Sequence, residues 1–292
     1  MSILIDTLLS RVKKEFDEQP AIQWENITAS RKDMNFLRRE CNTYSEFDQT
    51  NKRKKMFDGL ENGNSTIVTL KCKYGQIMAI FDAVEQLAEL PWDLWGHILR
   101  MFSSLNKSKS KPFKIFFLAN TSLRLLPPRR EPIQPENING GYTYRCNPET
   151  IVIYRAEDAT RVLIHELQHS CCLDNVEHGL DLVEAETEAW AELLYIAILS
   201  QGHVRIFNNL LQKQSEWIIK QNIKVKNHMK NPLSTEFPWR YTIGKEEIWD
   251  NWGILKKSTA SKDIVGNSLR LTHPPNNMLK DRFKVIKEST IL

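Results

Sequence analysis

Apolar residues along this chain repeat with two different periods. From Ile3 to Phe16 they recur at helical spacing and predict an amphipathic helix. Ser65 to Lys73 alternates in the manner of a half-buried strand, and Lys114–Leu118 is a short, nearly unbroken apolar run of the kind a buried strand shows. Between these two, Gln76 to Leu105 reads as a long helix interrupted at Pro91. A polar linker, Lys107 to Lys111, precedes the second run, and a proline-rich stretch from Pro127 to Pro135 follows it. Tyr142–Arg145 and Ile151–Tyr154 then flank Cys-Asn-Pro-Glu-Thr, which predicts a hairpin. Helical spacing returns from Thr160 to Leu173, from about Leu180 to Ser200, and from Val204 to Asn231. In the first of these, Leu163, Leu167 and Cys171 supply an apolar face, and Glu157 and Asp158 suit the positive end of the helix dipole. Asp174, Asn175 and Gly179 supply the stop between the first and the second.

The chemistry lies on two of these helices. His165-Glu166-Leu167-Gln168-His169 reads His-Glu-x-x-His, and Glu188 follows after eighteen intervening residues. Positions i and i+4 share one helix face, so both imidazoles can offer a nitrogen to one metal ion. A catalytic zinc takes three protein ligands of this kind and leaves a fourth position to water. His165, His169 and Glu188 form such a set, and Glu166 is offset toward the open position, where it can accept the water's proton. Glu184, Glu188 and Glu192 stand at i, i+4 and i+8. Like charges in one stripe repel, and a cation in front of them offsets that repulsion.

The spacing resembles the gluzincin branch of zinc metallopeptidases. The resemblance implies an α+β, zincin-like fold: a small sheet packed on the His-Glu-x-x-His helix and a Glu-bearing helix, with a mainly helical C-terminal part. It implies zinc on His165, His169 and Glu188, and Glu166 as general base. An acid one turn past the ligand Glu supports a ligand His in thermolysin-like members, and Glu192 holds that position here, with Glu184 ranked behind Glu188. The glycine-rich substrate motif of the aminopeptidases is not evident. Thr272-His273-Pro274-Pro275 with Arg282 is similar to the downstream His-Pro and Arg of membrane-bound metallopeptidases, which makes His273 an expected oxyanion donor. Tyr241, in the Pro238–Thr242 loop, is its competitor. The run from Ile151 through the two motifs is also similar to zincin-like proteins of large DNA viruses, which brings in a virion or host-protein partner. The implied substrate is a protein or peptide.

Composition narrows this picture little. The chain has 292 residues, 41% hydrophobic and 26% charged, which is ordinary for a globular protein, and a net charge of +4. That balance does not itself imply nucleic acid. The Lys52–Lys55 run and the basic excess of the 204–231 helix read as solvated faces. The five cysteines read as reduced thiols in an intracellular, cytoplasmic or virion-associated protein. No signal peptide and no membrane span is expected. Residues 1–60 read as a helical or irregular extension and 61–292 as the metallopeptidase domain, with its core at about 76–203 and a helical part at 204–292. Two rival readings are a catalytically inactive structural or virion protein that keeps the fold, and a nucleic-acid binder using the basic helix.

Overall fold

The computed structural model describes residues 3–82, 90–106, 111–229, 237–257 and 263–274. The protein is α+β. The chain groups into two compact units. One, the sheet unit, comprises Gln19–Ser122 and Gly140–Leu173. The other, the helical unit, comprises Met1–Glu18, Leu123–Asn139 and Asp174–Pro274. This grouping differs from a split at residue 60.

The sheet unit holds β1 (Glu25–Asn26), β2 (Thr66–Cys72), β3 (Gly75–Phe81), β4 (Phe113–Leu118), β5 (Gly141–Thr143) and β6 (Ile151–Ile153). Their order is β1-β2-β3-β4-β6-β5. β3, β4 and β6 run parallel, while β2 and β5 are antiparallel to their neighbours. The hairpin expected at 142–154 is therefore present. β3 replaces the first part of the helix expected from Gln76. Ile77 through Phe81 are all buried, because parallel strands are covered on both faces and read as continuous apolar runs. That run carries no strand alternation to see.

Two layers of helix cover this sheet. On one face α2 (Arg31–Asn42) and α3 (Lys52–Glu61) set Leu37, Cys41, Met56 and Phe57 against Met78, Ile80, Phe116 and Leu118. On the other, Trp95 of α4 (Trp92–Ser103) meets Phe117, with ring centroids 5.5 Å apart. Residues 31–61 are thus core-forming and not an extension. The Lys52–Lys55 run also differs from a solvated face: Lys52 and Arg53 are buried. Arg53 donates to Asp48 Oδ2 (3.1 Å), to the Glu40 carbonyl (3.0 Å) and to the Tyr142 hydroxyl (2.9 Å).

The helical unit contains α1 (Ile3–Glu18), the short α5 (Pro135–Ile138), α7 (Leu180–Leu199), α8 (Val204–Met229), a π-helical turn (Trp239–Ile243) and α9 (Gly244–Asn251). α7 is its buried centre, and α1, α8 and α9 all pack on it. Gly202, at φ 74°, makes the corner between α7 and α8. A β-carbon there would come 2.5 Å from the Leu9 carbonyl of α1, so only glycine lets α1 approach. Three basic residues of α8 lie beside carboxylates: Lys220 and Glu216 at 2.7 Å, Lys224 and Asp263 at 2.6 Å, and Lys226 and Glu246 at 3.8 Å. The segment 263–274 is stitched to α8 by Gln221 and Trp217, which donate to the Arg270 carbonyl. Tyr241 lies on the π-helical turn and not in a loop, while Pro275 and Arg282 fall outside the described residues.

The cysteines depart from expectation. Cys146 and Cys172 form a disulfide, while Cys41, Cys72 and Cys171 are free and buried. Cysteine usage therefore gives no argument for a reducing compartment. Among the described residues, no helix is long and apolar enough to cross a membrane.

Candidate metal centre

The remaining helix of the sheet unit, α6 (Ala159–Ser170), carries the His-Glu-x-x-His motif. Asp158 precedes it with left-handed backbone at φ 61°, and the Asp158 carbonyl accepts the Val162 amide at 2.9 Å. Glu157 and Asp158 therefore sit before the first turn and not within it. Leu163, Ile164 and Leu167 are fully buried, so α6 is held by core packing on several sides. Trp95 Nε1 fixes the first turn by donating to Thr160 Oγ1 at 2.8 Å. The last turn is fixed at the His169 carbonyl, which accepts the amides of both Cys146 (3.0 Å) and Cys172 (3.1 Å).

Between these two anchors the imidazoles of His165 and His169 converge. Their Nε2 atoms are 3.0 Å apart, and the rings are 76° from parallel with centroids at 4.7 Å. Two nitrogens on one tetrahedral zinc, each bonded at about 2.0–2.1 Å, stand roughly 3.3 Å apart. The observed spacing is within a few tenths of an ångström of that, and the donor type is the one zinc takes. The two histidines therefore fit a zinc ion. His165 is buried, and His169 is half-buried.

Glu166 lies between them in sequence and is 5% exposed. Its carboxylate reaches the edge strand: a β-carbon on Gly141 of β5 would stand 3.3 Å from Glu166 Oε1, 2.6 Å from Val162 Cγ1 and 3.0 Å from the Val152 carbonyl. The missing side chain at 141 is what lets β5 lie this close to α6. Nothing in the sequence pattern singled this glycine out, beyond its place where the strand begins.

The other expected residues lie in the helical unit. Glu188 and Glu192 of α7 are buried and Glu184 is half-buried. Glu192 Oε1 accepts the Thr272 hydroxyl at 2.7 Å, and Glu192 Oε2 accepts from Lys245 Nζ at 3.4 Å. Lys245, itself 1% exposed, also donates to the Leu271 carbonyl at 2.6 Å. Gln214 Oε1 accepts the His273 amide at 2.7 Å. The structure thus brings His273 and its neighbour Thr272 to α7 and α8. The His273 ring stands edge-on to Trp217, 5.8 Å between centroids. Burial, then the charges of Lys213 and Arg270, hold its pKa below the ordinary histidine value. The Tyr241 ring is half-buried against Phe237 at 4.9 Å. Lys245 and Gln214 carry no motif that marks them in the sequence. Cys171 is no metal ligand here: it is fully buried, its thiol pushed up to about 11 by burial, and it points at the Phe102 carbonyl.

No protein-family model, curated protein or solved structure matches this chain.

Proposed function

We propose that this protein is a zinc-dependent metallopeptidase. The observation that supports the reading most is the 3.0 Å approach of the His165 and His169 Nε2 atoms on one helix. His165 and His169 supply two ligands, and the third is assigned from the sequence spacing alone. Glu188 is first choice for the third on its eighteen-residue spacing, and Glu184 is second. When bound, zinc lowers the pKa of its water to about 7 and polarises the scissile carbonyl. Glu166 accepts the proton of the attacking water and passes it to the leaving amine. Its low exposure strengthens that role, because few waters compete for its carboxylate. His273 and Tyr241 are the candidate donors to the developing oxyanion, an imidazole and a phenol. The substrate is an extended segment of protein or peptide. β5 offers it a strand to pair with, since among the described residues β5 pairs only with β6.

The test is hydrolysis of an unfolded protein substrate by the purified chain, with and without a chelator, followed by restoration with zinc. Activity that survives the chelator overturns the reading. Zinc loss in Glu184→Ala but not in Glu188→Ala moves the third ligand to Glu184.

A further inference from the structure

The loop between β5 and β6 is bonded to the end of α6 through Cys146 and Cys172. Three features of this link bear on His169. The two cysteine amides converge on one acceptor, the His169 carbonyl, at 3.0 and 3.1 Å. Both cysteines have left-handed backbone, φ 60° and 57°, a region that L side chains rarely adopt and that persists only where the surroundings impose it. And His169 is on the last turn of α6, three residues before Cys172, where a helix frays first. The loop is thus a brace under the turn that carries one of the two converging imidazoles.

Cys146 is exposed and Cys172 half-buried, so a dissolved reductant can reach the bond. The other three cysteines are buried.

We propose that the Cys146–Cys172 disulfide is a redox-controlled clamp on the metal-binding turn, opened by a dithiol reductant, whose opening weakens the hold of His165 and His169 on a divalent cation. The idea rests on the metallopeptidase reading for the identity of the cation. A thiolate of the reductant attacks Cys146 Sγ, the bond to Cys172 breaks, and Cys172 leaves as a thiolate that takes up a proton. The second thiol of the reductant then displaces Cys146 from the mixed disulfide. Two electrons pass to the protein, which gains two thiols, and the reductant becomes a disulfide. With the covalent link gone, the loop keeps the hydrogen bond from the Cys146 amide to the His169 carbonyl but loses its covalent tie to the end of α6. The last turn opens more often, and His169 loses its fixed place beside His165. Loss of groups that orient a metal ligand lowers affinity about 10–100-fold.

The experiment uses the full chain, oxidised and after treatment with dithiothreitol, with Cys146→Ser as a chemically fixed open form. Alkylation and mass measurement first count the thiols. Hydrogen exchange of the Cys172 and Leu173 amides is read in metal-free protein, and zinc affinity by competition with a chromophoric chelator. The expected result is three thiols before reduction and five after. Faster exchange at both amides and zinc binding at least tenfold weaker accompany reduction, and both are restored on reoxidation in the parent but not in Cys146→Ser. Five thiols before reduction, or unchanged exchange after it, overturns the clamp. So does zinc affinity that stays within twofold. Oxidised protein that takes up no zinc overturns instead the metallopeptidase reading and the coupling together, while the exchange arm still reports on the brace itself.

Discussion

Glu166 of α6 and Gly141 of β5 are in such close register that a β-carbon on residue 141 would lie 3.3 Å from the Glu166 carboxylate oxygen. The same β-carbon would meet Val162 at 2.6 Å and the Val152 carbonyl at 3.0 Å. One contact is to backbone, which cannot rotate away, so the edge strand must shift. Gly141→Ala is therefore expected to lower kcat about 10–100-fold, because sub-ångström misplacement of a reacting group is costly. Overpacking of this kind costs about 1–3 kcal/mol of stability and leaves the fold intact. Steady-state kinetics beside zinc analysis checks this: the metal stays and the turnover falls. Unaltered kcat in a folded variant would show that β5 does not set the position of Glu166.

Glu166→Gln keeps the shape of the side chain and removes its basicity. Zinc content should be unchanged while hydrolysis falls about 10²–10⁴-fold, the usual contribution of a positioned general base. Parallel turnover and metal assays decide it, and a fully active variant places the base elsewhere.

The buried Lys245–Glu192 pair ties α9 and the 263–274 segment to α7. Both side chains are almost wholly excluded from solvent, 1% and 0% exposed. Lys245→Met removes the ammonium from a buried carboxylate, a change that costs about 3–5 kcal/mol. Adding Glu192→Gln should recover part of the loss, since Thr272 can still donate to the side-chain oxygen. Chemical denaturation of the parent, both single variants and the double variant measures the coupling. A Lys245→Met loss under 1 kcal/mol would mean that the pair does not hold this segment.

His273 sets an acid limit. Burial first, and then Lys213 and Arg270, lower its pKa in the folded state, while Glu216 raises it. The unfolded chain therefore binds this proton more readily than the folded one. The stability contributed is fully present above the unfolded value of about 6.5. It is lost as pH falls through that value toward the lower folded pKa. Between pH 7.5 and 5.0 the Tm of the parent should fall more than that of His273→Gln. Equal falls would show that His273 titrates as it does in the unfolded chain.

Much of this arrangement is written in local spacing. The motif helix and α7 are legible because i, i+4 and apolar periodicity are properties of one helix, and Leu180–Leu199 is where the spacing puts it. The hairpin is legible from its turn residues. β3 is not, because the partners that make it a strand, β2 and β4, are supplied by other parts of the chain and bury both its faces. The same reason hides α2 and α3, whose apolar residues look sparse until Met78 and Phe116 meet them. Arg53 reads as part of a surface charge run because its partners, Asp48, the Glu40 carbonyl and Tyr142, are assembled only by the fold. Cys146 and Cys172 are 26 residues apart, and only the return of the β5–β6 loop under α6 pairs them. Among the site residues, His165, Glu166 and His169 share one helix and were readable together. The partners of Glu192 and His273 come from helices and segments with no motif.

Zinc content of the untreated protein tests the account most directly. Elemental analysis of chain purified without chelators should give about one zinc per molecule, in line with a three-ligand site open to water. The same analysis of His165→Ala and His169→Ala should give none. Parent protein with no bound metal, or with zinc retained in both histidine variants, would contradict the claim that these two imidazoles, 3.0 Å apart, are built to hold a catalytic ion.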